Sequence, residues 1–509
     1  MSLAELMRQR REKLAQWRGI GVEPYAYRYE VTHHAADCLG RGDAVTPEPG
    51  ENVRVAGRVM SVRGHGKAGF AHLLDASGRI QVYFRADHLG EAFRRYELLD
   101  VGDWVGIEGA LFRTRTGEIT VRADAVEMLA KSLRPLPEKW HGLKDPQTRF
   151  RQRYADLFMN LDVREAFRRR SRMNASLREG LTGRGYLEVE TPVLQPLYGG
   201  AFARPFVTKH NALDMELYLR ISNELYLKRL IVGGLERVFE FSRDFRNEGM
   251  DRSHNPEFTI LEFYQAFADV HDMMSITEEL VTDTVRAVTG ETVIPFAEHS
   301  LDFTPPWPRL SMLDAVSEKV GEPVHDLDPA KLARLAARHG IEARPGTGAG
   351  GLLDELFSAL VQPGLIRPTF LIDFPVETSP LARRSRTTPG VVERFELFVA
   401  GMELANAFSE QNDADAQREA FEAQLERRAG GDDEAQPLDE DYLRALEYGM
   451  PPTGGVGIGI DRLAMLVTGK TSIRDVILFP QLRPEEGRAE AHDEEAAGIE
   501  SDPHEAPAS

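Results

Sequence analysis

RVFEFSRDFRNEGMDRSHNPEFTILEFYQAF, residues 237–267, is the stretch from which the rest of the chain is read. Apolar and polar residues alternate towards both of its ends. That pattern predicts two strands, 237–246 and 257–268, joined by a polar loop. A charged loop between apolar strands costs ordering entropy and is kept where it binds something. Arg246 ends the first strand, where a rigid guanidinium can meet a phosphate. On the second strand Phe258, Ile260, Glu262 and Tyr264 share one face by the period of two. A carboxylate and a phenol beside an aromatic ring make an unusual core. Any one of these residues alone reads as a satisfied ion pair, whereas the set reads as a binding face.

Further along, RFELFVAGMELANAF (394–408) predicts strands at 393–399 and 402–408, with another at 369–374 before them. Ala400-Gly401 forms the two-residue turn and pairs Phe398 with Glu403. Glu396 lies two residues before Phe398, so Glu396 and Glu403 become diagonal neighbours on one face. Two carboxylates that close repel unless a cation lies between them. The bland alternative is a solvated hairpin face, which the apolar flanks FELFV and MELA disfavour. Strict alternation puts Asn406, Phe408 and Glu410 on the face opposite Glu403; a bulge or a strand end between them would unite the two sets.

GGVGIGI (454–460) predicts a strand ahead of a helix starting near Asp461. Gly455, Gly457 and Gly459 project from one face, which suits either a flat base or ribose, or close helix packing. The run is not a dinucleotide fingerprint, because Ile460 stands where the third glycine is required. TGKTS near residue 470 is not a phosphate loop, because Ala464 occupies the first glycine position. The H-x-G-H signature of Rossmann-type synthetases is also absent. An ATP site in this chain is therefore built another way.

The 509 residues suffice for about three domains of roughly 150 residues each. With 42% hydrophobic and 28% charged residues, the composition is that of a soluble globular protein, and its size points to an enzyme. There is no run of 18 apolar residues and no apolar core of signal-peptide type near the start. The single cysteine, Cys38, excludes an intrachain disulfide and a cysteine-based metal site. A reduced, cytoplasmic protein with no membrane span is the expectation. Charge is uneven: residues 1–180 carry 31 Lys+Arg against 24 Asp+Glu, net +7, and the remainder is net −26. A basic front end on an acidic body suits an anionic partner that meets one face.

The expected organisation is α+β. Residues 1–50 hold a charged helix (3–18) and a Gly/Pro/Asp-rich linker (31–50). Residues 51–131 alternate in five short strands and predict an N-terminal five-stranded OB-type β-barrel, read evenly as an oligonucleotide binder or a structural barrel. A linker spans 132–160. Residues 161–483 form one large α+β region, with a helical pattern at 163–184 and an insertion near 300–365. Residues 484–509 hold nine acidic residues and one arginine without apolar periodicity, and are expected to be a disordered tail.

The quoted segment resembles motif 2 of the class II aminoacyl-tRNA synthetases, and GIGIDRLAML resembles their motif 3. GYLEVETPVL (185–194) resembles the motif 1 region, with its proline at Pro192. The closer resemblance is to the bacterial lysyl type. It rests on GGAFARPF (199–206), ISNELYLKRL (221–230), PLARR (380–384), ANAFSEQND (405–413), GDDEA (431–435) and IRDVILFP (473–480). It runs from about residue 50 to 483 and leaves out the acidic tail. It implies that residues 161–483 are a catalytic domain built on an antiparallel sheet flanked by helices.

The resemblance implies activation of L-lysine with ATP to lysyl-adenylate, then transfer to the 3′ end of tRNA(Lys), by a homodimer using magnesium. It implies that Arg246 holds the α-phosphate and the lysine carboxylate. Phe258 stacks on adenine, Arg462 covers its other face, and Glu248, His254 and Asn255 complete the ATP site. Relatives often carry an arginine directly before this histidine. Here Ser253 fills that position and Arg252 precedes it. Magnesium falls to Glu396 and Glu403. Glu262, Tyr264 and Glu410 take the lysine ε-ammonium, Glu224 and the Gly200 backbone the α-amino group, and Asn406 and Phe408 shape the pocket. Arg63, Phe70, Gln81 and Glu118 of the barrel match the anticodon-reading positions. Two rival readings are a synthetase specific for aspartate or asparagine and a catalytically silent RNA-binding relative. Pocket charge opposes the first. The intact Arg246, Glu396, Glu403 and Arg462 oppose the second.

Overall fold

A computed structural model describes residues 2–137, 143–342, 347–429 and 437–484. The GDDEA segment and all of the acidic tail beyond residue 484 lie outside the described residues. The chain divides into two compact units, Met1–Leu143 and Lys144–Ser509.

In the first unit, β1 (Asn52–His65), β2 (Ala68–Leu74), β3 (Arg79–Arg85), β4 (Trp104–Arg113) and β5 (Ile119–Ala130) close a barrel in the order β1–β2–β3–β5–β4. One pair, β3 with β5, is parallel; the others are antiparallel. Period-two alternation drives the closure. Ile80, Val82 and Phe84 of β3 point into the barrel core, while Gln81 and Tyr83 face outward. The helix Leu3–Gly19 begins with a capping box, Ser2 to Glu5, and buries Trp17 in the barrel core. Ala35, Cys38 and Val45, from the glycine-rich stretch after it, join the same core.

The second unit is built on an eight-stranded sheet. Its strands are β6 (Leu187–Glu188), β7 (Arg237–Phe245), β8 (Glu257–Ala266), β9 (Arg309–Ser311), β10 (Thr369–Pro375), β11 (Val391–Val399), β12 (Met402–Ser409) and β13 (Thr453–Gly459). They run in the order β9–β10–β11–β12–β13–β8–β7–β6, antiparallel except for the pair at each edge. Helices Leu161–Gly183, Val270–Thr289 and Ile460–Thr468 share one core with the sheet. Leu261 and Phe263 of β8, Val456 and Ile458 of β13, and Ala405 and Ala407 of β12 point into it and are buried. Full burial contributes roughly 1.5–3 kcal/mol for each large apolar side chain. A register slip of one residue would turn these residues out, so the core fixes which residues face the other way.

Those other residues are the polar ones. The hairpin forms as its sequence predicts: Ala400 and Gly401 adopt φ of 52° and 73°, and Phe398 pairs with Glu403. A bulge follows at once, since Leu397 pairs with Ala405. Leu404 is the extra residue, and it puts Asn406 and Phe408 on the same side as Glu403.

Between Met312 and Leu360, the insertion contributes the helices Met312–Val320, Pro329–Arg338 and Ala349–Leu360, which share a core with β10 and β11. Short helices Pro146–Arg151 and Arg153–Met159 lead into the second unit. There Arg153, fully buried, donates to the carbonyls of Arg474 and Leu478.

Candidate active site and nucleic-acid face

The polar face of the sheet floors a cleft of about 570 Å³. Pairing sets its central row: Glu396 is opposite Asn406, Asn406 opposite Gly457, and Gly457 opposite Glu262. Gly455 and Gly457 of β13 are crowded from the side rather than left open to a base. A Cβ at Gly455 would lie 2.2 Å from Glu410 Oε1 and 2.3 Å from Tyr264 Cε1, and one at Gly457 would lie 3.1 Å from Ile260 Cδ1. Glycine is needed there so that Glu410 and Tyr264 can reach the cleft.

At one end of the cleft the Arg246 guanidinium lies 5.0 Å over the Phe258 ring. The Arg246 N–H is held by the Pro256 carbonyl at 2.8 Å. Arg462 donates to the Glu403 carbonyl at 2.5 Å and lies 3.4 Å from its carboxylate. His254 Nε2 is 3.3 Å from the same guanidinium. Asp251 organises this loop by accepting the Ser253 and His254 backbone N–H groups at 2.6 and 2.8 Å and contacting His254 Nδ1 at 2.7 Å. Against the cost of partial burial, these contacts hold the Asp251 carboxyl down at about 2. Glu248, Ser253, His254 and Asn255 all line the cleft. Arg252 does not; its carbonyl accepts the Ile473 N–H at 2.8 Å.

Deeper in, three carboxylates gather. The Ser222 hydroxyl donates to one oxygen of Glu262 at 3.2 Å, and the Tyr264 hydroxyl donates to the other at 2.9 Å. Burial, with Asp244 and Glu224 nearby, pushes Glu262 well above the carboxylate range. Glu224 and Glu410 are buried beside it. Gly200, at φ 86°, presses on this corner, where a Cβ would lie 2.8 Å from Ser222 Oγ. Beneath the site Asp244, fully buried, is 3.2 Å from Arg220, and burial pushes it up to about 6.

Glu396 and Glu403 line the cleft together with Asp354 from the insertion helix. Burial and the two neighbouring carboxylates push Glu396 up to about 8, against the opposing Arg394. A carboxylate so disfavoured as an anion suits a cation brought in beside it. Among the described residues no three acidic, histidine or cysteine side chains converge into a complete metal site. The donor set therefore fits magnesium only with further oxygens from phosphate and water, as that ion commonly takes.

On the barrel, the structure brings Arg63, Phe70, Gln81 and Glu118 onto one outer face. Arg63 pairs with Phe70 across β1 and β2, and Gln81 Nε2 donates to Glu118 at 2.8 Å. Thr120 donates to Gln81 at 2.9 Å, and His72 contacts Glu118 at 3.2 Å. The Phe70 ring stacks on Tyr83, with centroids 4.7 Å apart. An aromatic platform beside fixed amide and carboxylate groups matches what an unstacked base requires.

Comparisons with known proteins place the chain in a family. The family model for class II tRNA synthetases (D, K and N) matches residues 145–483, and that for an OB-fold nucleic acid binding domain matches 53–129. The lysine–tRNA ligase of Carboxydothermus hydrogenoformans is 53% identical over 484 residues, 95% of this chain and 99% of that protein. That of Moorella thermoacetica is 53% identical over 95% of this chain and 98% of its own length. That of Bacillus subtilis is 49% identical over 94% and 98%. The chain belongs to the class II lysyl-tRNA synthetases.

Within this synthetase four site residues escape a reading of the sequence alone. Asp354 comes from the insertion, 42 residues before Glu396 in the chain and with no local signal. Arg394 donates to Asn406 at 3.1 Å, lies 5.5 Å over the Phe408 ring and pairs with Glu396, joining the two sides of the cleft floor. His72 shares a strand face with Phe70, and that period was the available signal. Asp461 accepts the Thr259 N–H at 2.7 Å and pairs with Arg170, locking the motif 3 helix to β8. No described helix is long and apolar enough to cross a membrane.

Proposed function

We propose that this synthetase activates L-lysine with ATP and transfers the lysyl group to tRNA(Lys), with the roles distributed as follows. Arg246 binds the lysine carboxylate and the α-phosphate, bringing nucleophile and phosphorus into line. Phe258 and Arg462 enclose adenine, and Glu248, His254 and Asn255 orient the base and outer phosphates. The lysine carboxylate attacks the α-phosphate, and pyrophosphate leaves. A ribose hydroxyl of the tRNA then attacks the lysyl carbonyl, and AMP leaves. Neither step requires a protein nucleophile; positioning and charge neutralisation carry both. Magnesium bound at Glu396 and Glu403 would neutralise phosphate charge.

The observation that carries lysine specificity is the group of three buried carboxylates, Glu224, Glu262 and Glu410, with the Tyr264 hydroxyl beside them. An anionic side chain such as aspartate would meet repulsion there, and asparagine would leave these charges unpaired. Glu262, Tyr264 and Glu410 take the ε-ammonium; Glu224 and the Gly200 backbone take the α-amino group; Asn406 and Phe408 close the sides. In the barrel, Phe70 stacks on an anticodon base while Arg63, Gln81 and Glu118 read its edge. The enzyme works in the cytoplasm as a homodimer, as its likeness to the family implies. Pyrophosphate exchange measured with each of the twenty amino acids tests the assignment. Lysine alone should support exchange, and a signal with aspartate or asparagine of equal size would replace this reading.

A further inference from the structure

Lys228 has no part in the account above, yet its side chain is fully buried against the amino-acid pocket. It lies one turn after Glu224 on the helix Glu224–Val232 and contacts that carboxylate at 2.5 Å. Its ammonium also makes a direct ion pair with Glu410 Oε2, just beyond the end of β12. Glu410 Oε1 has no hydrogen-bond partner and sits against Gly455 on the cleft floor. One oxygen of Glu410 thus faces a resident ammonium and the other faces the cleft. Around the pair stand Tyr442 from the helix Glu440–Glu447, Glu262 and Tyr264 from β8, and, one residue on, Arg229.

The charges count out. With lysine bound and its ammonium groups holding all three carboxylates ionised, Glu224, Glu262 and Glu410 carry three negative charges against one positive on Lys228. Two negative charges remain, and lysine carries two ammonium groups, its carboxylate being assigned to Arg246. We propose that Lys228 is a positioning residue that sets the specificity of the lysine pocket: it aims Glu410 at the ε-ammonium and trims the pocket to the charge that one lysine neutralises. This inference rests on the lysine pocket assigned above. Lys228 acts through Glu410 and does not touch the substrate. Burial pushes the Glu410 carboxyl up and Lys228 opposes that shift, so losing Lys228 leaves Glu410 protonated over a wider pH range.

The test is lysine- and ATP-dependent pyrophosphate exchange on the full-length enzyme carrying Lys228→Met, Glu410→Gln or both. Lys228→Met should raise the lysine KM by about thirty-fold or more, the usual loss when one partner of a buried charge pair is removed. The ATP KM should stay within threefold of the parent. The double variant should stay within threefold of Glu410→Gln alone, because Lys228 acts through that carboxylate. The pH at which the lysine KM levels off should also move upward in Lys228→Met. Lys228→Gln, which keeps a donor without the charge, carries the same expectations if the methionine variant does not fold. An unchanged lysine KM in the Lys228 variants beside a raised one in Glu410→Gln overturns the proposal. Losses that multiply in the double variant overturn it too, and so does a parallel rise in both KM values. An unchanged lysine KM in Glu410→Gln itself would instead refute the pocket assignment beneath it.

Discussion

Replacing Phe70 with alanine should damage tRNA charging and spare amino-acid activation. Phe70 lies on the outer face of β2, half-buried, with its ring 4.7 Å from Tyr83 at an interplanar angle of 29°. Truncation removes that ring pair, at a stability cost of about 0.5–1.5 kcal/mol. The buried barrel core, from Val53 to Met128, is untouched. A base stacked on an aromatic side chain gains roughly 1–3 kcal/mol, which is about five- to 150-fold in kcat/KM for tRNA. Tyr83 survives the substitution with Phe112 at 5.9 Å, so part of the platform remains. That places the expected loss in the lower part of the range, at about five- to thirty-fold. The assay compares aminoacylation of tRNA(Lys) with lysine-dependent pyrophosphate exchange on the same preparation. Exchange should be unchanged, because every residue assigned to activation lies in the second unit. Equal losses in both reactions, or charging that stays at the parental rate, would refute the stacking role.

Glu396→Gln together with Glu403→Gln should abolish adenylate formation, with little rescue by excess magnesium, while ATP affinity falls less; adenylate formed within tenfold of the parental rate would return both carboxylates to the fold. Glu410→Gln should raise the lysine KM without a comparable change for ATP, a loss of about 2–5 kcal/mol for one buried charge partner; steady-state exchange kinetics decide it. Because the Glu410 carboxyl is pushed up to about 8, chiefly by burial, it is ionised only as pH rises. The parental lysine KM should therefore fall between pH 6 and 9, and a flat profile would contradict the shift. Asp244, pushed up to about 6, holds its proton more tightly folded than unfolded. Stability from this group is lost as pH rises from about 4 through 6, by up to about 3 kcal/mol. Asp244→Asn should remove that slope, so the thermal midpoint of the parent should drop relative to the variant across this window.

Local periodicity was enough to find the strands that floor the site. The alternation in 237–267 and in the hairpin strands marks which residues share a face, because side chains on a strand alternate without exception until a bulge intervenes. The Ala400-Gly401 turn fixes the register of Glu403, and the conflict between Glu403 and Glu410 leaves a bulge and a strand end open until the structure places a bulge at Leu404. The seven-residue glycine strand was legible as a strand but not in its purpose. Nothing local says that Glu410 and Tyr264 fill the space beside Gly455.

What the sequence by itself determined is therefore the family, the barrel-plus-catalytic-domain plan and the facing of the strands up to the first bulge, since these follow from short-range order and recognisable motifs. Tertiary structure alone decided who meets whom across long chain separations. Asp354 reaches the Glu396 carboxylate from an insertion helix, and Arg394 bridges Asn406 to Glu396. Lys228 comes to rest between Glu224, one turn away, and Glu410, 182 residues away. An ammonium in a protein interior is tolerable only between anions, and which anions stand there is settled when a helix docks on a sheet. Spacing along the chain records the helical pair with Glu224; it holds no record of the docking that supplies Glu410.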